Sequence, residues 1–216
     1  MKEYIFFDLD GTLTDPALGI TNSLMYALDK FGISVESREE LYQFIGPPLV
    51  DKMMEVYGFS KEKAQQGLAY YREYFRDKGI FENNVYDGIR EMLADLQNGG
   101  YKLVLATSKP EEFAKRILEH FDLAKYFDYI GGSDMGEARS SKAAVIEYDM
   151  ATLGITDPSK CVMVGDREHD VIGARQLGID CVGLLFGYGS REELETAGAT
   201  YIAENVDVLT RILKNV

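Results

Sequence analysis

Two acidic residues near the N-terminus are spaced so that they can serve one site. Asp8 and Asp10 follow the apolar run from Tyr4 to Phe7 and belong to the segment Asp-Leu-Asp-Gly-Thr. Side chains two positions apart on an extended segment point the same way, so both carboxylates can face one site. Two carboxylates this close cannot both stay ionised in a dry cleft without a cation between them. The pair therefore predicts either a shared proton or a divalent metal, and all-oxygen ligands favour Mg²⁺.

A second acidic pair follows another apolar run, from Cys161 to Val164. Asp166 and Asp170 are four positions apart, so they share a face if a helix begins within this turn. The preceding Gly165 lets the chain turn sharply or approach a ligand closely. Either acid alone could be a helix cap, but two acids beside a glycine at a strand end favour a site.

Hydroxyl and ammonium groups occupy comparable places elsewhere in the chain. Thr107 and Ser108 follow the run from Leu103 to Ala106 and precede Pro110, which is predicted to open a helix. Hydroxyls and N–H groups at the N-terminus of a helix form an anion site. Lys142 begins another predicted helix, where its charge opposes the helix dipole. This position indicates an anionic partner for its ammonium group.

The elements that carry these residues alternate between short apolar runs and longer segments of helical period. The predicted strands are Tyr4 to Phe7, Leu103 to Ala106, Cys161 to Val164 and Cys181 to Leu185. The predicted helices are Pro110 to Phe121, Lys142 to Leu153, Val171 to Leu177 and Val206 to Leu213. This alternation predicts an α/β fold with a doubly wound parallel sheet, in which ligands bind at the carboxyl ends of the strands.

One long segment interrupts the alternation after the first strand. Helix-start signals follow one another at Asp15-Pro16, at Pro47 and at Ser60, and no credible strand lies between them. We expect a small all-helical cap domain over residues 15–85, inserted into a catalytic core formed by residues 1–14 and 86–216.

Composition restricts the partners of the protein. A formal net charge of −13 repels phosphate backbones and anionic lipid, so neither nucleic acid nor a membrane is expected as a partner. Cys161 and Cys181 lie inside apolar runs, which predicts buried thiols and suits the cytoplasm. No apolar stretch approaches the roughly 18 residues of a spanning helix. Monomer and homodimer both remain open.

Taken in sequence order, these segments resemble the four motifs of the haloacid dehalogenase superfamily. The four are Asp8-x-Asp10-x-Thr12, Thr107 after an apolar run, Lys142, and Gly165-Asp166-x-x-x-Asp170. The resemblance covers essentially the whole chain, and a helical insertion between the first two motifs is the smaller cap type of that superfamily. Three further segments are most similar to its phosphoglycolate phosphatase branch, which shades into 5′-nucleotidases and pyrophosphatases: Val85-Tyr86-Asp87-Gly88, Thr107-Ser108-Lys109 and Phe186-Gly187-Tyr188-Gly189.

The resemblance implies a role for each matching residue. Asp8 would be the nucleophile that attacks phosphorus, and Asp10 would protonate the leaving oxygen and then activate water. Mg²⁺ would be held by Asp8, the backbone carbonyl of Asp10, Asp166 and, directly or through water, Asp170. The phosphoryl oxygens would be held by Lys142, Thr107 and the amides after Asp8. Further contacts with the substrate are expected from Gly11, Thr12, Ser108 and, in the cap, Gly46 and Pro47.

We therefore expect a Mg²⁺-dependent phosphatase that hydrolyses a small phosphorylated metabolite, phosphoglycolate-like or a nucleoside monophosphate, through an aspartyl-phosphate. A pyrophosphatase or a sugar phosphomutase of the same superfamily is an alternative, although Leu49 stands about where the mutases carry a basic residue. A phosphoacceptor signalling domain belongs to a different class; it lacks a cap and places its acceptor after a middle strand. A catalytically silent binding protein is the last alternative, and none of the motif residues is missing.

Overall fold

The computed structural model of the chain describes residues 2–135, 139 and 141–216. In chain order its strands are β1 (Tyr4–Phe7), β2 (Thr14–Asp15), β3 (Asn84–Val85), β4 (Lys102–Pro110), β5 (Tyr129–Ser133), β6 (Cys161–Gly165), β7 (Asp180–Leu184) and β8 (Tyr201–Ala203). Its helices are α1 (Ala17–Asp29), α2 (Leu49–Tyr57), α3 (Lys61–Phe75), α4 (Ile89–Asn98), α5 (Glu111–His120), α6 (Lys142–Leu153), α7 (Glu168–Gln176), α8 (Arg191–Ala197) and α9 (Val206–Leu213). Among the described residues, no helix combines the length and apolar composition needed to span a bilayer.

Six of the strands form one sheet in the order β5-β4-β1-β6-β7-β8, and β2 and β3 form a separate two-stranded sheet. Every neighbouring pair in the large sheet is parallel. The chain first builds one side of β1 with β4 and β5 and then the other side with β6, β7 and β8. This confirms the predicted doubly wound sheet. The order reverses around β1, so the loops that follow β1, β4 and β6 converge at one edge, where such sheets bind ligands.

The large sheet is buried on both faces. Ile5, Phe6 and Phe7 are consecutive on β1 and all fully buried, which is the pattern of a parallel strand covered by helices on each side. On one face Phe6, with neighbours from β4 and β6, packs against apolar residues of α6 and α7, among them Val145 and Val171. Each large apolar side chain buried in this way contributes roughly 1.5–3 kcal/mol. The sheet is therefore a rigid support for the loops at its edge.

The chain divides into two compact units, Met1–Thr14 with Val85–Val216, and Asp15–Asn84. The second unit contains α1, α2 and α3 with a 3₁₀ segment, Arg38–Phe44, between the first two helices. Helix α3 begins at the predicted cap, because the Ser60 hydroxyl accepts a hydrogen bond from the Lys63 N–H at 3.3 Å. Helix α2 begins at Leu49 and not at Pro47, because a residue that precedes a proline is disfavoured in helical conformation.

One buried acid of the first unit lies outside the motifs. The carboxyl of Asp149, on α6, packs directly over Gly131 of β5, where a Cβ would collide with it. No described residue donates a hydrogen bond to either of its oxygens. Burial raises the pKa of Asp149 to about 8, against the opposing charge of Arg139. The folded protein therefore keeps this acid largely protonated at neutral pH.

We expect Asp149 to make the protein less stable as the pH rises from about 4 to about 8. The unfolded acid ionises near its ordinary pKa of about 3.9, whereas the folded acid does not, so each pH unit costs up to about 1.4 kcal/mol. In Asp149→Asn this loss should disappear, so the variant gains on the wild type as the pH rises. Urea denaturation at pH 5, 6, 7 and 8 measures the difference. A constant difference between the two proteins over this range would contradict the assignment.

Candidate functional site

The first acidic pair lies in the loop after β1, which is held by backbone hydrogen bonds. The Asp8 N–H donates to the carbonyl of Val164 on β6 at 2.9 Å, and the Gly11 N–H donates to the carbonyl of Thr14 at 2.8 Å. Gly11 has φ +80°, and a Cβ there would collide with the carboxylate of Asp166. Glycine is therefore required here, both by the backbone conformation and by the close approach of the second acidic pair.

Lys142 joins three elements at the edge of the sheet. Its Nζ lies 2.9 Å from Asp8 Oδ1 and 2.8 Å from Asp170 Oδ1, and it donates to the carbonyl of Ala106 at 2.8 Å. Its side chain is 3% exposed. Burial alone would lower the pKa of Lys142, but the charges of Asp170 and Asp8 raise it above its ordinary value. The ammonium group thus stays charged, and the anionic partners expected from its place at a helix start are these carboxylates.

The second acidic pair completes a buried cluster with Asp8. Asp8, Asp166 and Asp170 each offer a carboxylate oxygen, and these atoms all lie within 4.8 Å of one another. Asp166 accepts hydrogen bonds from the Thr12 hydroxyl at 3.3 Å and from the Tyr188 N–H at 2.8 Å. Burial, followed by the charges of Asp170 and Asp8, raises the pKa of Asp166 well above its ordinary value. The carboxylates repel one another, and their oxygens are close enough together to bind one metal ion.

The charge of the whole group fits a divalent cation. When ionised, the carboxylates of Asp8, Asp10, Asp166 and Asp170 carry four negative charges, and among the described residues two ammonium groups contact them. Those ammonium groups are Lys142 and Lys109, whose Nζ lies 2.8 Å from Asp10 Oδ2. Hard oxygen ligands and a deficit of two positive charges match Mg²⁺ better than a softer metal.

The segment after β4 differs from the prediction in its backbone. Residues Thr107 to Pro110 belong to β4, with a register shift against β5 in this stretch, and α5 begins only at Glu111. The Thr107 hydroxyl therefore lies at a strand end and not at the N-terminus of a helix. It accepts a hydrogen bond from the Lys109 N–H at 3.2 Å, which leaves its own hydrogen free to be donated to an anion. Ser108 beside it is half-buried.

The structure brings most of the predicted catalytic and metal-binding residues close together, and it places one residue that was not predicted, Lys109, beside them. Thr12 holds Asp166, so its hydroxyl supports a predicted metal ligand in this structure. Lys109 is the residue that motif spacing did not assign, although it stands in the quoted segment Thr107-Ser108-Lys109. Gly46 and Pro47 belong to the other unit, between the 3₁₀ segment and α2, with Gly46 at φ +104°. A role for these two residues in substrate binding stays a prediction.

Asp166→Asn should stabilise the protein in metal-free buffer at pH 8. A neutral side chain removes the repulsion from Asp8 and Asp170, and the amide oxygen can still accept from the Tyr188 N–H while the amide NH₂ donates to the Thr12 hydroxyl oxygen. We expect a gain of about 1–2 kcal/mol, as is common where a functional site holds strain. Because the raised pKa of Asp166 means that low pH also neutralises it, the gain should shrink towards pH 4. Thermal melts with and without Mg²⁺ measure this, and a large loss of stability without metal would contradict it.

Comparison with known proteins identifies the family of the chain, whereas its relatives differ in the activity for which they are named. The family model of haloacid dehalogenase-like hydrolases matches residues 5–184. A 5′-nucleotidase of Pseudomonas aeruginosa is 41% identical over 98% of this chain and 95% of its own length. Phosphoglycolate phosphatase 1 of the same organism is 30% identical over 95% of this chain and 78% of its own length.

A solved structure resembles this chain over its whole length. A crystal structure described as a predicted phosphatase from Clostridium acetobutylicum superimposes with a TM-score of 0.98, at 50% identity and with complete coverage of both chains. The family match, over residues 5–184, contains all four motifs. The chain therefore belongs to the haloacid dehalogenase-like hydrolases, and within that family it is an enzyme of the phosphatase class.

Proposed function

We propose that this enzyme is a Mg²⁺-dependent phosphomonoesterase that works through an aspartyl-phosphate on Asp8. The observation that carries the proposal is the buried group of carboxylates around Lys142 at the carboxyl edge of the sheet. It combines a nucleophile, an acid beside it, a fixed positive charge and a set of metal ligands.

In the first step the substrate phosphorus is attacked by a carboxylate oxygen of Asp8. A bond forms between this oxygen and phosphorus while the bond from phosphorus to the leaving oxygen breaks. Asp10, in its protonated form, gives its proton to the leaving oxygen. Burial raises the pKa of Asp10 above its ordinary value and so favours its protonated form, although Lys109 partly opposes this. The product is an alcohol and a phosphoenzyme.

In the second step water attacks the phosphorus of the aspartyl-phosphate. Asp10, now ionised, takes a proton from this water as the bond from phosphorus to Asp8 breaks. Inorganic phosphate leaves, and both carboxyl groups return to their starting states. Splitting one displacement into two lets the same acid serve first as donor and then as acceptor.

Fixed positive charge is needed wherever the phosphoryl oxygens lie during both steps. Lys142 is held between Asp8 and Asp170, and the Thr107 hydroxyl has a hydrogen to donate, so both groups are preorganised for these oxygens. Mg²⁺, held by Asp8, Asp166, Asp170 and the backbone carbonyl of Asp10, would neutralise negative charge between nucleophile and phosphate.

Small phosphorylated metabolites are the substrate class that we infer. Two of the relatives are named as a 5′-nucleotidase and a phosphoglycolate phosphatase, which suggests nucleoside monophosphates and phosphoglycolate as first candidates. The net charge of −13 disfavours nucleic acid and membrane surfaces as partners. We propose that the enzyme acts in the cytoplasm, which its two buried free thiols suit. Selection among metabolites is assigned to the unit Asp15–Asn84, with Gly46 and Pro47 as candidate contacts.

The proposed function is tested by phosphate release from a panel of substrates. The panel contains phosphoglycolate, nucleoside 5′-monophosphates, sugar phosphates, pyrophosphate and 4-nitrophenyl phosphate, each with 5 mM Mg²⁺. We expect Mg²⁺-dependent release from at least one alkyl phosphomonoester and from the aryl ester. No release from any monoester, or release from pyrophosphate alone, would overturn the proposal.

Asp10→Asn should slow the first step far more for an alkyl phosphate than for 4-nitrophenyl phosphate. An alkoxide needs a proton in order to leave, whereas 4-nitrophenolate does not, and general acid catalysis contributes typically 10²–10⁴-fold. Single-turnover release of the alcohol is the measurement, since hydrolysis of the phosphoenzyme also slows without a base. Equal losses with both substrates would exclude Asp10 as the acid.

A further inference from the structure

The pair formed by Lys109 and Asp10 is unlike the surface ion pairs of this protein. The two charged atoms lie 2.8 Å apart, and the side chains are only 6% and 11% exposed. The pair connects the end of β4 with the loop after β1, which are neighbours in the sheet but stand about a hundred positions apart in the sequence. A buried ion pair is expensive to desolvate and adds little to stability. Its presence here indicates that the positions of these two side chains matter.

The two oxygens of Asp10 have different surroundings. Oδ2 lies against the ammonium group of Lys109, while Oδ1 is buried and accepts no hydrogen bond from any described residue. A buried carboxylate oxygen without a donor is costly to maintain. A leaving-group oxygen or a hydrolytic water is the kind of partner that would remove this cost. The asymmetry marks Oδ1 as the oxygen that exchanges protons.

We propose that Lys109 is a positioning residue for the acid and base: by holding Oδ2 of Asp10, it fixes the carboxyl so that Oδ1 gives and takes the proton. This inference rests on the proposed phosphatase function. The backbone of Lys109 is itself fixed, because its N–H donates to the Thr107 hydroxyl at 3.2 Å. One residue thus ties the orientation of Asp10 to a group that holds the phosphate. The register shift of β4 against β5 lies in this same stretch of the chain.

A direct role of Lys109 in substrate binding gives different expectations. A lysine that holds a phosphoryl oxygen acts on every phosphate ester, whatever its leaving group. A lysine that orients the acid acts only where protonation of the leaving group limits the rate. A small misplacement of a reacting group can cost about 100-fold in rate. The leaving group therefore separates the two roles.

The test compares Lys109→Met with the wild type and with Lys115→Met, a matched control for an exposed lysine on α5. Single-turnover rates of leaving-group release are measured with 4-nitrophenyl phosphate and with the best alkyl phosphate of the panel. We expect about a 100-fold loss on the alkyl ester, at most about a 3-fold loss on the aryl ester, and wild-type rates for Lys115→Met. Lys109→Arg, which keeps the charge, should recover part of the alkyl rate.

A double substitution gives the sharpest result. In the Asp10→Asn background, Lys109→Met should cause no further loss on the alkyl ester, because the residue on which it acts is already gone. Equal losses on both esters, or additive losses in the double variant, would overturn the positioning role. If Lys109→Met does not fold, Lys109→Gln replaces it under the same criteria. The wild-type rates alone decide whether the enzyme is a phosphatase, so the two proposals fail separately.

A crystal structure of Lys109→Met supplies a readout without turnover. We expect the Asp10 carboxyl to leave its present orientation while Asp8 and Lys142 keep theirs. An unchanged Asp10 would contradict the inference, whatever the rates.

Discussion

Asp8→Asn should reduce phosphate release by about 10⁴-fold or more on every substrate that the enzyme accepts. An amide is a poor nucleophile toward phosphorus, so no phosphoenzyme forms and the leaving group stays attached. The loss should be as large for 4-nitrophenyl phosphate as for an alkyl phosphate. A good leaving group can depart without a general acid, but every substrate needs the nucleophile. Equal losses on both substrates therefore distinguish this variant from Asp10→Asn.

The fold should survive this substitution. Lys142 keeps its partners Asp170 and the Ala106 carbonyl, and removing one charge relieves repulsion within the cluster. Asp122→Asn, at an exposed acid paired with Lys125, is the matched control and should retain wild-type turnover. An Asp8→Asn protein that melts like the wild type and still turns over within tenfold of it would refute the role of Asp8.

Removal of the metal should have an effect of similar size. Enzyme treated with EDTA should lose nearly all turnover and recover it when Mg²⁺ is added. Ca²⁺ should restore activity poorly, because it prefers more ligands at longer distances. The physical reason is the charge of the site: without a cation, the negative charges of the buried acids repel the phosphate group of the substrate. Full turnover in EDTA would contradict this prediction.

Binding of Mg²⁺ should also depend on pH in the absence of substrate. The pKa values of Asp166 and Asp170 are raised, chiefly by burial, so protons occupy these ligands at low pH and must leave before the cation binds. The rise in melting temperature caused by Mg²⁺ should therefore be larger at pH 8 than at pH 5. In Asp166→Asn the rise should be much smaller at both values. An equal rise at both pH values in the wild type would argue against these acids as ligands.

Strands and helices with a clear pattern of apolar residues could be predicted from the sequence. Strand β1 and helices α6 and α9 were predicted with the bounds that the structure shows, because their apolar residues are continuous or periodic. Strand β5 was missed because two of its five residues are glycines. Those glycines are required by close packing: a Cβ at Gly131 would collide with Asp149, and one at Gly132 would lie 2.7 Å from the carbonyl oxygen of Lys109. Because glycines have no apolar side chain, the strand lacks the apolar run by which a strand is recognised in a sequence.

Strand β8 was missed for a different reason. It has three residues at the edge of the sheet, and Tyr201 at its start is exposed. A strand this short buries too little apolar surface to leave a run in the sequence. Helix α8 was not predicted either, and only Leu194 of its seven residues is buried.

The residues of the site were easier to predict than their pairings. Spacing along a strand brings Asp8 and Asp10 together, and strand ends bring Asp166 near them. Spacing along the chain could not show that Lys109 contacts Asp10, because this contact depends on which strands are neighbours and on the register shift in β4. Thr12 is a comparable case: the resemblance to the family motif suggested a substrate contact, whereas its hydroxyl donates to Asp166.

Trapping the phosphoenzyme tests most directly whether phosphate is carried on Asp8. The enzyme with Mg²⁺ is mixed with its best substrate, quenched in acid within milliseconds, reduced with borohydride and digested for mass spectrometry. Reduction converts an aspartyl-phosphate to homoserine, so we predict homoserine at position 8, absent from samples without substrate and from Asp8→Asn. An enzyme that turns over under the same conditions but yields no modification, or yields it at another carboxylate, would contradict the account.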